Sequence, residues 1–139
     1  SSDENAKIKP AEINLAANEV ILVVEDDEAL RRTVTRMLKR YGYETIAVED
    51  GPSALSVMKA TEHIDLMLSD VILPGGMTGP EIIDAARDQH PDMKVLLMSG
   101  YTREAMLHRG EITEDIQLIQ KPFSSQDLGL ALREILEEG

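Results

Sequence analysis

The chain contains no cysteine and no tryptophan, and its aromatic residues are one phenylalanine and three tyrosines in 139 residues. Without cysteine there is no disulfide framework and no thiolate metal site, which suits a reducing, cytoplasmic setting. With so few rings the core has to be aliphatic, and there is little on which nucleic-acid bases could stack. No apolar run approaches the roughly 20 residues that cross a bilayer, and the start Ser1-Ser2-Asp3-Glu4-Asn5 is too polar for a signal peptide. Positive charge is also scarce. Lys and Arg number 14 against 26 Asp and Glu, a formal net charge of −12, which disfavours direct contact with nucleic acid or anionic membrane. A cation or a basic protein surface is the expected partner. What is present is ordinary globular material, 42% hydrophobic and 29% charged, in a length that suits one domain with its own core.

Residues 1–18 are polar and small, with no sustained period. They read as a linker or a leftover of expression, with a turn of helix near Ala11–Ala17. From Glu19 on, strand and helix signals alternate. Val20–Val24 is a β-branched apolar run that stops at Glu25-Asp26-Asp27-Glu28. Leu30, Val34, Met37, Leu38 and Tyr41 then follow helical spacing up to Gly42, a C-terminal stop. Tyr43–Val48 alternates as a second strand, and Glu49-Asp50-Gly51-Pro52 opens a short helix with Ala54, Leu55, Val57 and Met58 inward. Ile64–Asp70 is a strand buried on both faces that ends in an aspartate before Leu73-Pro74-Gly75-Gly76. Gly79-Pro80 opens a helix carrying Ile82, Ile83, Ala85 and Ala86 towards His90-Pro91. Lys94–Met98 is a fourth strand, Thr102–Arg109 a weaker helix, and Ile116–Ile119 a fifth strand. Ser124 caps a last helix with Leu128, Leu132, Ile135 and Leu136 inward.

Five strands alternating with five helices through short connections predict an α/β fold, a doubly wound parallel sheet of flavodoxin-like (βα)5 type. The 2-1-3-4-5 order, a common solution for five strands, sets strands one and three side by side at the switch point, where ligands gather at the carboxyl ends. Glu25, Asp26 and Asp70 then converge. Carboxylates gathered this closely repel unless a cation offsets them, and Mg2+ is the best candidate because it takes hard oxygen ligands from one or two carboxylates plus a phosphate. Taken alone, Glu25–Glu28 equally suits a solvated helix N-terminus, and Asp70 a strand-end turn residue. Ser99 after strand four and Lys121 after strand five reach the same rim, each with a bland reading of its own: a chain-turning serine and a snorkelling surface lysine. Together they supply a hydroxyl and a point charge for the oxygens of a transferring phosphoryl group.

The motifs Val23-Val24-Glu25-Asp26-Asp27, Leu68-Ser69-Asp70-Val71-Ile72-Leu73-Pro74, Met98-Ser99-Gly100 and Gln120-Lys121-Pro122-Phe123 closely resemble those of the receiver domain of two-component signalling. The resemblance runs from about Glu19 to Glu138, making residues 19–139 the receiver domain. It implies that Asp70 is the phosphoacceptor and that Mg2+ is held by Asp26, Asp70 and the backbone carbonyl of Ile72, with Glu25 acting through water. It implies that Ser99 is the switch hydroxyl, that Lys121 contacts the phosphoryl group, and that the Lys121-Pro122 peptide is cis. Asp27, one place beyond the pair, is expected to cap the helix. The implied partner is a histidine kinase or a histidine phosphotransfer protein, and a homodimer through the strand-four to strand-five face is common in the family. No turnover is expected beyond self-phosphorylation and self-dephosphorylation at Asp70.

The chain departs from the family's pattern twice. The usual strand-five aromatic that couples to the switch hydroxyl is replaced by Leu118; Tyr101 either takes over part of that role or is an exposed loop aromatic. The loop Pro74-Gly75-Gly76-Met77-Thr78-Gly79 is about one residue longer than is common, and with Ser99-Gly100-Tyr101 it looks like receivers attached to hybrid sensor histidine kinases. That context leads, and the domain would then be tethered to a membrane through its parent kinase. The alternatives are a single-domain response regulator, the front half of a regulator with an output domain, and a pseudo-receiver that only binds protein. A flavodoxin-type ligand module is disfavoured because Glu25–Glu28 stands where a phosphate-cradling loop would lie. A haloacid-dehalogenase-like enzyme is disfavoured by the position of Asp70.

Overall fold

The computed structural model describes residues 18–137, so the helical turn expected near Ala11–Ala17 lies outside the described residues. The elements run β1 (Val20–Val24), α1 (Glu28–Arg40), β2 (Glu44–Val48), α2 (Gly51–Ala60), β3 (Leu66–Asp70), α3 (Gly79–Ala86), β4 (Lys94–Ser99), α4 (Arg103–His108), β5 (Gln117–Gln120) and α5 (Ser125–Leu136), with a short 3-10 turn at Pro74–Gly76. All strands pair in parallel in the order β2-β1-β3-β4-β5, the flavodoxin-like arrangement expected from the alternation.

Successive strand residues point to opposite faces, and the core divides accordingly. Ile21, Val23, Leu66, Leu68, Leu96 and Met98 meet α1 and α5 through Val34, Leu38, Leu128 and Leu132. Leu22, Val24, Met67 and Leu97 meet α2, α3 and α4 through Met58, Ile82 and Met106. The inner strands β1 and β3 are therefore apolar at nearly every position, and each buried aliphatic side chain contributes ~1.5–3 kcal/mol to holding the layers together. Among the described residues no helix is long and apolar enough to cross a membrane.

The helix ends follow from local chemistry. Asp27 accepts the Leu30 N–H at the start of α1, Asp50 accepts from Ser53 at α2, and Thr78 and Ser124 form capping boxes with Glu81 and Asp127. Gly42, at φ 97°, closes α1 in a Schellman turn, with the Tyr43 N–H on the Leu38 carbonyl and its own on that of Lys39.

Several expected bounds shift: β2 starts at Glu44 rather than Tyr43, β3 at Leu66 rather than Ile64, and β4 runs on to Ser99, while two further shifts have a visible local cause. The helix that begins at Gly79 does not reach His90: it ends at Ala86, leaving Ala85 exposed. Arg87-Asp88-Gln89 has no apolar face to bury, and the N–H groups of Gln89 and His90 both close on the Ala86 carbonyl ahead of Pro91. Strand β5 starts at Gln117 rather than Ile116, because the Ile116 N–H bonds to Thr113 and its carbonyl accepts from the Arg103 guanidinium.

Candidate functional site

The sheet register carries the acidic residues to one rim. Val24 stands opposite Ser69 and Asp70 opposite Met98, while Ser99 stands opposite Gln120. Glu25, Asp70, Ser99 and Lys121 thus occupy the carboxyl ends of four adjacent strands or the residue just beyond. Glu25, Asp26 and Asp70 each offer a carboxylate oxygen, and these oxygens lie within 4.8 Å of one another.

Glu25 is the buried member, 1% exposed, and every part of it is held. Its N–H donates to the Val48 carbonyl at 3.0 Å, and its carbonyl accepts from Arg31 Nη1 at 2.8 Å. Its carboxylate accepts the Asp27 N–H at 3.0 Å and Lys121 Nζ at 3.1 Å. Burial still dominates and pushes its pKa up to about 7; the Asp27 N–H and Lys121 oppose that rise and the Asp70 charge adds to it. Lys121 Nζ also donates to Asp70 Oδ2 at 3.0 Å. Burial works against its charge, but the hydrogen bonds to Asp70 and Glu25 outweigh that and hold the ammonium above its ordinary pKa.

Asp26 is exposed at the mouth of the crevice. Ser99 is 3% exposed, and its hydroxyl accepts the Tyr101 N–H at 2.9 Å, while its carbonyl takes the Lys121 N–H at 2.7 Å. The Lys121-Pro122 peptide is cis. Ile72 is 55% exposed and bridges to Thr78, two residues beyond Asp70. Tyr101 and Leu118 are not brought together. The Tyr101 ring is half exposed under the Arg109 guanidinium, 4.9 Å from its centroid, and Leu118 packs on the α2–α4 side of the sheet.

Three supporting residues escape a reading by motif. Ser69, fully buried, donates to the Asp70 carbonyl at 2.9 Å. Arg31 reaches back from α1 to the carbonyl of Glu25. Gly79 lies so close to the acceptor that an added Cβ would stand 2.9 Å from the Asp70 carbonyl oxygen. Only Gly79 leaves a sequence signal, as a glycine ahead of a proline at a helix start.

The donor set fits Mg2+. Every side-chain ligand is a hard oxygen, and among the described residues the three carboxylates face a single ammonium, so the crevice has a deficit of positive charge that a divalent cation would fill.

The chain is similar to known proteins in sequence and fold. The chain is 32% identical over 126 residues to a sensor kinase, CckA, of Brucella abortus, covering 90% of this chain but 13% of that protein. It is 31% identical over 108 residues to the response regulator receiver protein CpdR of the same organism, covering 78% of this chain and 88% of that one. Among solved structures, the receiver domain from the hybrid histidine kinase CckA superposes with a TM-score of 0.71 at 31% identity, over 85% of this chain and 99% of that domain. The Vibrio cholerae chemotaxis protein CheY4 superposes with a TM-score of 0.76 at 28% identity, over 86% and 99% of the two chains. The response regulator receiver domain family matches residues 21–133, and with the fold and the convergent acidic rim this establishes that the chain belongs to that family.

Proposed function

We propose that this receiver accepts a phosphoryl group on Asp70 from the phosphohistidine of a histidine kinase or a histidine phosphotransfer protein in the cytoplasm, and that it changes conformation as a result. The observation that carries the reading is the Lys121 ammonium bonded at once to Asp70 and Glu25 beside the exposed Asp26. An Asp70 carboxylate oxygen forms the new bond to phosphorus while the phosphorus–nitrogen bond to the donor imidazole breaks, and the imidazole leaves with the electron pair and takes up a proton. Lys121 follows the charge from the free carboxylate to the phosphoryl oxygens. Asp26, Asp70 and the Ile72 carbonyl would hold Mg2+, with Glu25 behind them, already engaged with Lys121 and the Asp27 N–H. When bound, Mg2+ supplies positive charge to the transferring oxygens. Water later attacks the phosphorus, releases inorganic phosphate and restores Asp70.

Switching begins at Ser99. Its hydroxyl accepts from the Tyr101 N–H and is free to turn its proton and lone pairs to a new anion on Asp70, drawing the loop that leads into α4. With Leu118 in place of the strand-five aromatic, Tyr101 and its arginine stack are the ring that this movement disturbs.

Intact-mass measurement with acetyl phosphate tests the acceptor role: a phosphate adduct that requires Mg2+ and is lost in Asp70→Ala supports it, and an adduct that survives the substitution overturns it. The parent context is a hybrid sensor kinase, supported by the Pro74-Gly75-Gly76-Met77 loop, Ser99-Gly100-Tyr101 and the likeness to CckA. CpdR, which the chain covers over 88% of its length, favours a single-domain regulator as the second reading. An antibody against this domain tests the second reading, since a native band near 15.4 kDa indicates the single domain and one far above it a parent chain with further domains, which peptide mass fingerprinting of that band then identifies as a kinase or another regulator.

A further inference from the structure

Helix α1 carries Arg31, Arg32, Arg36, Lys39 and Arg40, five of the chain's 14 basic residues, although the chain as a whole is strongly acidic. These five side chains line a groove of about 570 Å3 that also takes in Ala47 of β2. Arg32, Arg36, Lys39 and Arg40 fall at i, i+4, i+7 and i+8, so they form one stripe along the helix. Arg31 is engaged with the Glu25 carbonyl and Arg32 pairs with Glu28 at 3.0 Å. Arg36, Lys39 and Arg40 are exposed and form no ion pair among the described residues, despite 26 acidic residues in the chain.

Such a stripe is unfavourable for the isolated fold. Arg36 has a like charge four residues before it, three after it and four after it, and pairs at those spacings destabilise a helix. The helix dipole favours Lys39 and Arg40 in the last turn, but Arg36 sits too far from the C-terminus to gain from it. A compensating anion from outside removes the repulsion. The groove also runs beside β2, an edge strand that among the described residues is hydrogen-bonded only to β1, leaving its outer backbone groups without a described strand partner.

We infer that the α1–β2 groove, lined by Arg32, Arg36, Lys39 and Arg40, is a docking site for an acidic, extended segment of a partner protein. The match is one of charge, shape and length. The 13-residue helix is ~20 Å long, the span of about six residues of extended chain, whose alternate carboxylates face the stripe while its backbone adds to β2. A protein segment is favoured over a nucleic acid or an anionic membrane because the rest of this acidic surface repels a broad anion but leaves room for a short one. Among the described residues, none of Arg32, Arg36, Lys39 and Arg40 bonds to Glu25, Asp70 or Lys121, so the proposal does not rest on the acceptor chemistry.

The test is fluorescence anisotropy of a labelled alternating Glu-Thr dodecapeptide at low salt. The triple variant Arg36→Ala/Lys39→Ala/Arg40→Ala is expected to weaken binding by about tenfold or more, whereas Lys59→Ala/Arg87→Ala/Arg133→Ala, which removes the same charge elsewhere, changes it by less than about threefold. Acetyl phosphate is expected to modify the groove variant as it does the wild type, so loss of peptide binding is read apart from loss of the acceptor. A charge swap guards against a folding defect: Arg36→Glu/Arg40→Glu should reverse the preference to a Lys-Thr peptide. Absence of peptide binding, equal losses in the two triple variants, or tighter binding to phosphatidylserine vesicles than to the peptide would overturn the proposal.

Discussion

Lys121 Nζ lies 3.0 Å from Asp70 Oδ2 and 3.1 Å from Glu25 Oε1, so one ammonium ties the ends of β1, β3 and β5 together across 51 and 96 residues of chain. Removing it leaves a buried glutamate facing an aspartate without a counter-charge. Lys121→Ala is expected to slow formation of the Asp70 adduct by ~10²–10³-fold, the scale on which loss of one preorganised charge acts. Lys121→Arg is not expected to restore the rate, because a planar fork does not replace a point charge between two carboxylates. Time-resolved intact mass at saturating acetyl phosphate measures both.

Asp26 is exposed where Glu25 is buried, and the two should therefore part company on substitution. Asp26→Asn is expected to weaken Mg2+ binding by about tenfold or more while leaving the metal-free melting temperature unchanged or higher, since a repelling charge has been removed. Titration calorimetry with Mg2+ and a thermal melt in EDTA give the two readouts. A lower melting temperature in EDTA would mean that Asp26 has a structural role instead.

Gly79 packs against the backbone of the acceptor strand: an added Cβ would stand 2.9 Å from the Asp70 carbonyl oxygen and 3.0 Å from Leu97 Cδ2. Gly79→Ala is expected to cost ~1–3 kcal/mol by overpacking and to slow phosphorylation through a displaced Asp70. At Gly100 an added Cβ meets nothing within 4 Å, so Gly100→Ala should be close to neutral. Denaturant unfolding of the pair isolates the steric term.

Tyr43 is 7% exposed, and burial followed by the charges of Glu19 and Glu137 pushes its phenol up to about 12. The folded pKa is raised above the unfolded value of about 10, so this contribution to stability is complete below pH ~10 and is lost as pH rises towards 12. Tyr43→Phe cannot ionise and should escape that loss, closing on or overtaking the wild type by up to ~2–3 kcal/mol across this window. Parallel unfolding curves at pH 9, 11 and 12 check it, because groups common to both proteins cancel in the difference.

By itself, the order of residues determined which segments are strands and which helices, where Asp27 and Ser124 cap, and that Asp70 ends a strand buried on both faces. These are local matters: hydrophobic period, turn chemistry and propensity act over a few residues and can be read from them. The acidic pair and the lysine were visible too, as residues that follow apolar runs. What only the tertiary structure decided is how side chains far apart in sequence share out their bonds. Glu25 spends its carboxylate on Lys121 and the Asp27 N–H, and Ser99 accepts from Tyr101. Arg103 takes the Ile116 carbonyl and so sets where β5 begins, while Tyr101 turns outward to Arg109. Each of these follows from strand register and burial, which bring together atoms that no local pattern relates.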